Sequence, residues 1–259
     1  MSNETLKMRF WIAWQLLTII PSPHQRGCDL ENLGKSVSFF PVVGLFLGMV
    51  LFGFDYLLGL FLPLVLVNVL LIVILIILTG ALHMDGFIDT CDGFALRSSN
   101  PDRLKVMSDS RVGGFGVVGG CCLVAVKFAA LVALPMELRG SALILMPILS
   151  RWGMVYAISA FPPAKEEGMG WAVKQGVSWR ELAVATVFSL LVTLGLLKWW
   201  GAMLMTALCL ILFLFSKYLC SRFAGLTGDN YGAISEFAEV VVLILMFILG
   251  ELGGVSWLM

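Results

Sequence analysis

The chain has 259 residues, of which 59% are hydrophobic and 13% charged, and its 17 basic residues balance its 17 acidic ones. Soluble domains run near about 45–50% apolar and about 25% charged, so this composition excludes an ordinary soluble protein, a disordered chain and a disulfide scaffold. It also excludes a nucleic-acid binder, which would carry a basic excess. What is left is a polytopic membrane protein with the lipid bilayer as its main partner.

In chain order, Lys7 and Arg9 precede an apolar stretch, Phe10–Ile20, that stops at Pro21-Ser22-Pro23. A membrane-crossing helix needs roughly 20 apolar residues, and no small-x-small cleavage site follows this stretch. It predicts a short interfacial or re-entrant helix. Charge-free runs then predict spans over 37–60 and 64–82, divided by Pro63, and further spans over 114–134, 141–160, 181–197, 200–217 and 238–258. The expected fold is all-α, a single transmembrane domain over 1–259 of about seven helices, with loops at 83–113 and 218–239. With the N-terminus in the cytoplasm, only Arg139 and Lys198 of the 17 basic residues fall on the far side, and Lys127 and Arg151 lie inside spans. That asymmetry orients the two long loops, and most of the acids, toward the cytoplasm. The six cysteines form no CxxC and lie mostly in apolar runs, which points to neither disulfides nor zinc.

Three polar clusters share the cytoplasmic side. The first runs from Thr79 to Gly93. Its Asp85, Asp89 and Asp92 are spaced i, i+4, i+7, which puts them on one helix face. Three carboxylates so placed either share protons or hold a cation, and a hard ion such as Mg²⁺ takes oxygen ligands while leaving room for phosphate oxygens. Gly86 and Gly93 lie together on a neighbouring face and permit close approach of a backbone or a ligand. His83 sits off the aspartate face, as a base, a phosphate contact or a plain interfacial residue.

The second cluster, Ser108 to Gly116, adds Asp109, a fourth acid, and Arg111, whose fork suits phosphate. Its glycines open the next span, where free N–H groups attract anions; the Gly-Lys-Ser/Thr ending of a Walker A loop is missing. The third cluster, Gly225 to Glu239, offers Thr227 and Asp229, the latter as a cation ligand or a helix cap, with Glu236 and Glu239 at the mouth of the last span, as part of a site or as a charged helix start. Arg151 lies mid-span, where a charge costs roughly 2.5–3.5 kcal/mol on insertion scales. It should face the bundle interior and pair with an acid or a phosphate, and Lys127 likewise. Lys127, Arg151, Thr227, Asp229, Glu236 and Glu239 are therefore candidate substrate contacts. Gly44 and Gly48 form a GxxxG suited to helix packing.

The blocks HMDGFIDTCDG, MSDSRVGGFG and TGDNYGAISEFAE, taken together, resemble the cobalamin synthase family, the adenosylcobinamide-GDP ribazoletransferases. The resemblance runs over nearly the whole chain and includes Pro21-Ser22-Pro23, residues 39–48, Lys127, Ser150-Arg151 and Glu166-Glu167-Gly168. It implies an enzyme that joins adenosylcobinamide-GDP to α-ribazole or its 5′-phosphate, releases GMP and needs Mg²⁺. It carries the metal-dependent acids onto Asp85, Asp89, Asp92 and Asp109, makes Arg111 a phosphate contact and gives His83 a place in the site. It further implies the inner membrane of a prokaryote, and a homo-oligomer or a complex with other cobalamin-assembly enzymes. Ile19, Lys105 and Ser108 stand where many members carry Arg, Glu and Arg. CDP-alcohol phosphotransferases and aromatic prenyltransferases also use spaced aspartates, but neither of their second acidic blocks is found here. A transporter would place its polar groups at mid-membrane with repeated broken helices, whereas these acids gather at one face.

Overall fold

A computed structural model describes residues 3–23, 30–95, 100–107 and 111–253. Within them the chain is helical: α1 (Asn3–Leu17), α2 (Leu30–Lys35), α3 (Phe40–Gly59), α4 (Leu64–Leu78), α5 (Leu82–Ala95), α6 (Asn100–Met107), α7 (Gly114–Ala133), α8 (Met136–Ala160), α9 (Gly168–Gln175), α10 (Trp179–Leu197), α11 (Trp199–Phe223) and α12 (Gly228–Gly253). Six stretches are long and apolar enough to cross a membrane: Leu30–Gly59, Gly114–Ala133, Met136–Ala160, Trp179–Leu197, Trp199–Phe223 and Gly228–Leu252. The pair α4 and α5 qualifies only jointly, and the two helices are bent by 92° to one another. The all-α polytopic architecture is thus as the hydropathy predicts.

Local chemistry sets the helix ends. Pro63, with ψ 145°, stands just ahead of α4, where a missing N–H costs nothing. Ser178 opens α10: its hydroxyl accepts the Arg180 N–H at 3.2 Å, and its own N–H donates to Glu181 at 2.9 Å, a capping box. The α4–α5 corner is made by Gly80 (φ 62°) and Ala81 (φ 58°) in succession. Left-handed backbone is cheap for glycine and costs an alanine about 1–2 kcal/mol. The corner is braced by the end of α1, where the Ile19 N–H donates to the Leu78 carbonyl at 2.9 Å and the Trp14 indole donates to Ile20 O at 3.0 Å. The N-terminal helix is therefore real, though it runs Asn3–Leu17 rather than Phe10–Ile20.

The bundle has an inside and an outside. Most of α8 and α12 is buried inside the protein, and little of α10 is. A helix apolar nearly all round belongs at the centre, and α8 and α12 are the two that can carry charges away from lipid. The α3–α8 contact runs through Gly44 and Gly48: a Cβ there would lie 2.5 Å from the Pro147 carbonyl and 2.6 Å from the Ile144 carbonyl. The GxxxG is a packing motif. At the end of the bundle away from α5, Arg139 of α8 donates to both carboxylate oxygens of Asp55 (2.6–3.1 Å) and to Asn68 Oδ1 at 2.6 Å. This clamps α3, α4 and α8.

Two expected loops are largely helix. Residues 83–113 contain α5 and α6, and 218–239 contain the end of α11 and the first three turns of α12. The hydropathy pattern places the last span at 238–258, but α12 starts ten residues earlier, at Gly228. Its polar opening turns are buried against protein rather than exposed in a loop, and hydropathy alone cannot separate the two.

Candidate active site

The site is built where α5 crosses the start of α12. The crossing is close because both helices meet at glycine: a Cβ on Gly86 would lie 2.7 Å from the Asp229 carbonyl oxygen, and one on Gly232 would lie 3.1 Å from the His83 carbonyl oxygen. The Asn230 amide fastens the crossing by donating to Thr90 Oγ1 at 3.1 Å. Neither Asn230 nor Thr90 stands out in the sequence as a candidate. The available signal was Thr-x-x-Asn at a helix start. Thr227 Oγ1 accepts the Asn230 N–H at 3.2 Å and the Thr227 N–H donates to Asn230 Oδ1 at 3.0 Å, a reciprocal cap. Thr227, a candidate substrate contact, thus serves as the N-cap of α12, and its hydroxyl also reaches Asp229 at 3.4 Å.

The three aspartates of α5 have three environments. Asp85 is exposed, Asp89 half-buried and Asp92 buried. The negative charges that act on Asp89 are those of Asp85, Asp229 and Asp92, so the crossing gathers Asp229 to the α5 acids. Asp92 has a task that its spacing does not reveal. Its two oxygens accept the N–H groups of Gly113 and Gly116, each at 2.7 Å, where its charge also suits the start of α7. A Cβ on either glycine would lie 2.4 Å from that carboxylate. The glycine run read as a phosphate cradle therefore has two of its N–H groups already taken by Asp92. Among the described residues no three His, Cys, Asp or Glu side chains are grouped so as to hold a metal ion. Asp109 lies outside the described residues. Arg111 is exposed in the turn that leads into α7.

The remaining candidates lie deeper. Lys127 Nζ donates to Glu236 Oε2 at 2.6 Å and to Glu239 Oε2 at 2.7 Å. Arg151 Nη1 donates to Glu239 Oε1 and, at 2.7 Å, to Ser150 Oγ. Lys127, Arg151 and Glu239 are at 1% exposure and Glu236 at 4%. Two cations and two anions are closed on one another between α7, α8 and α12. Glu236 is eight residues into α12, about 12 Å along its axis, and not at a helix mouth. The interior pairing expected of Arg151 is with Glu239. The four charges, expected as substrate contacts, are buried and paired with one another. His83 is at 1% exposure, faces the charges of Arg151, Glu239 and Lys127, and has no hydrogen-bond partner on either ring nitrogen.

Above the site lies α9. Its Lys174 ammonium donates to the last carbonyls of α8, Ile158 at 2.5 Å and Ser159 at 2.8 Å, a favourable end for a cation. Burial holds this lysine below its ordinary value. A Cβ on Gly170 would lie 2.7 Å from the Gly228 nitrogen, so α9 rests on the start of α12.

Fold and site define a polytopic helical membrane protein with a carboxylate cluster at one end of its bundle. Comparison with known sequences narrows this class. The family model described as cobalamin-5-phosphate synthase matches residues 9–247, and the chain belongs to that family. It is 38% identical over 242 residues to an adenosylcobinamide-GDP ribazoletransferase of Geotalea daltonii, covering 93% of this chain and 97% of the relative. Similar proteins of the same name from Desulforamulus reducens and Desulfitobacterium hafniense are each 35% identical, over 92% of this chain and 95% and 96% of theirs. No solved structure matches the chain.

Proposed function

We propose that this protein transfers the cobinamide phosphate of adenosylcobinamide-GDP to α-ribazole or its 5′-phosphate, the assembly step that completes the cobalamin nucleotide loop. The observation that carries the reading is the pair Asp85 and Asp89, accessible at the α5–α12 crossing, in a chain of this family. In the reaction the ribose 3′-hydroxyl attacks the phosphorus on the cobinamide side, the bond to the bridging oxygen breaks, and GMP leaves with that oxygen.

The residues fit Mg²⁺. Asp85 and Asp89 are hard oxygen donors crowded by like charge from Asp229 and Asp92, and a cation relieves that crowding. Mg²⁺ is usually held by one or two carboxylates together with substrate phosphates and water, so the site does not require a closed protein cage. Asp85 and Asp89 would hold it, with Asp109 a further acid two residues before Arg111 in sequence; bound there, it would supply positive charge against the charge that builds on the phosphate oxygens. Arg111 supports the diphosphate from the α7 side with its planar fork. Asp92 keeps the start of α7, and with it Arg111, at a fixed distance from α5. The proton of the attacking hydroxyl goes to a carboxylate of the α5–α12 face, because the His83 ring is sealed below it. The site faces the cytoplasm of a prokaryotic inner membrane, a reading supported by the distribution of Lys and Arg.

The test uses purified protein in nanodiscs with adenosylcobinamide-GDP, α-ribazole 5′-phosphate and Mg²⁺, following GMP and the new corrinoid by chromatography. Both products are expected from the wild type and neither with EDTA or in Asp89→Asn. A folded, Mg²⁺-binding wild type that releases no GMP would overturn the reading.

A further inference from the structure

A cavity of about 170 Å³ lies under the acid cluster, lined by residues of α1, α3, α5, α8, α9 and α12. Its walls are apolar, with Leu17, Phe40, Met154 and Ile158 among them, while Asp85 and Asp229 of the acid cluster line it as well. We propose that this cavity seats the flat bicyclic base of the acceptor nucleoside; the inference rests on the transferase reading above and adds the place of one substrate.

The size argues first. An apolar cavity of about 150 Å³ takes up a benzene ring, so this one is on the scale of a flat ring system. A corrin macrocycle does not enter it. Chemistry argues second. Ligand pockets bury apolar surface and fix orientation with a few polar groups, and a guanine edge buried against Leu17, Phe40 and Met154 would strand its donors and acceptors. Benzimidazole, the base of ribazole, has two ring nitrogens and is otherwise hydrocarbon. Position argues third, since Asp85 and Asp229 of the acid cluster stand at the cavity. A ring seated here leaves its ribose beside Asp85 and Asp229, where the hydroxyl has to react.

The test fills the cavity. Full-length protein in nanodiscs is assayed as wild type, Met154→Trp and Ile158→Phe, each shown to be folded by its melting curve. Free benzimidazole is the binding probe, with guanine as comparator. Benzimidazole is expected to bind the wild type and to compete with α-ribazole. The filled variants are expected to weaken that binding and to raise KM for α-ribazole, both by about tenfold, while KM for adenosylcobinamide-GDP stays put. Met154→Ala, which only removes atoms, is expected to gain affinity for a tricyclic analogue. An unchanged KM for α-ribazole in the folded filled variants overturns the proposal, as does a rise in KM for adenosylcobinamide-GDP instead. Should the wild type turn over no substrate at all, the transferase reading fails separately. The binding arm then decides alone: benzimidazole bound by the wild type and lost on filling supports the cavity, and no binding, or binding indifferent to filling, overturns it.

Discussion

Replacing Lys127 by methionine tests whether the four deep charges serve the fold or the substrate. The lysine holds Glu236 at 2.6 Å and Glu239 at 2.7 Å, and its removal leaves Glu236 as a carboxylate at 4% exposure with no cation. Removing one partner of a buried pair costs about 3–5 kcal/mol, because the other charge stays behind unpaired. Glu236→Gln alone should cost less, since Lys127 keeps Glu239 at 2.7 Å, though the group is left with one positive charge in excess. The double variant is again neutral, with Arg151 and Glu239 still joined, so it should be more stable than the two single losses added together. Residues in one network couple by roughly 0.5–3 kcal/mol, and this pair belongs at the upper end. Unfolding in mixed micelles by denaturing detergent reads the stabilities, and KM for each substrate is measured on the folded fraction. The reasoning is refuted if Lys127→Met unfolds like the wild type while KM for a phosphate-bearing substrate rises. Lys127 would then be a substrate contact.

Gly113→Ala and Gly116→Ala should each push the Asp92 carboxylate from its seat, since the new Cβ would lie 2.4 Å from it; turnover should fall by at least about tenfold at saturating Mg²⁺, measured as GMP release. Mg²⁺ at ten times its dissociation constant should stabilise the wild type by about 1.4 kcal/mol and Asp89→Asn by much less, read from melting curves with and without the ion. Arg139→Met strands Asp55 beyond the far end of the bundle and should cost about 3 kcal/mol, with turnover per folded molecule unchanged because the clamp is remote from α5.

The sequence shows what long apolar runs and short dense motifs can show. The number of crossing segments, the interior direction of Arg151 and the meeting of the Gly44 and Gly48 face with another helix are all legible, because each follows from one helix and the solvent around it. Pairings between distant helices are not. Asp92 reads as a third acid on a face; only the fold brings Gly113 and Gly116 onto it and makes it the anchor of α7. Glu236 and Glu239 read as a charged helix start because a polar run before an apolar one resembles a loop, yet they have burial and partners that lie on α7 and α8. The Thr227–Asn230 cap is readable from its Thr-x-x-Asn spacing, but the spacing alone does not show that Asn230 also reaches Thr90 on α5. The corner at Gly80 and Ala81 left no mark at all, since Ala81 is a residue that sequence patterns place inside helices.

The corner and the quartet together give the molecule an electrical property. A lone elementary charge moved through the membrane field exchanges about 2.3 kcal/mol for every 100 mV. The four deep side chains sum to zero and are locked together, so a change in membrane voltage exerts almost no net pull on the centre of the bundle. The unbalanced acids sit on α5, turned aside from the direction of α4 by 92°. Voltage therefore has little to act on in this quartet.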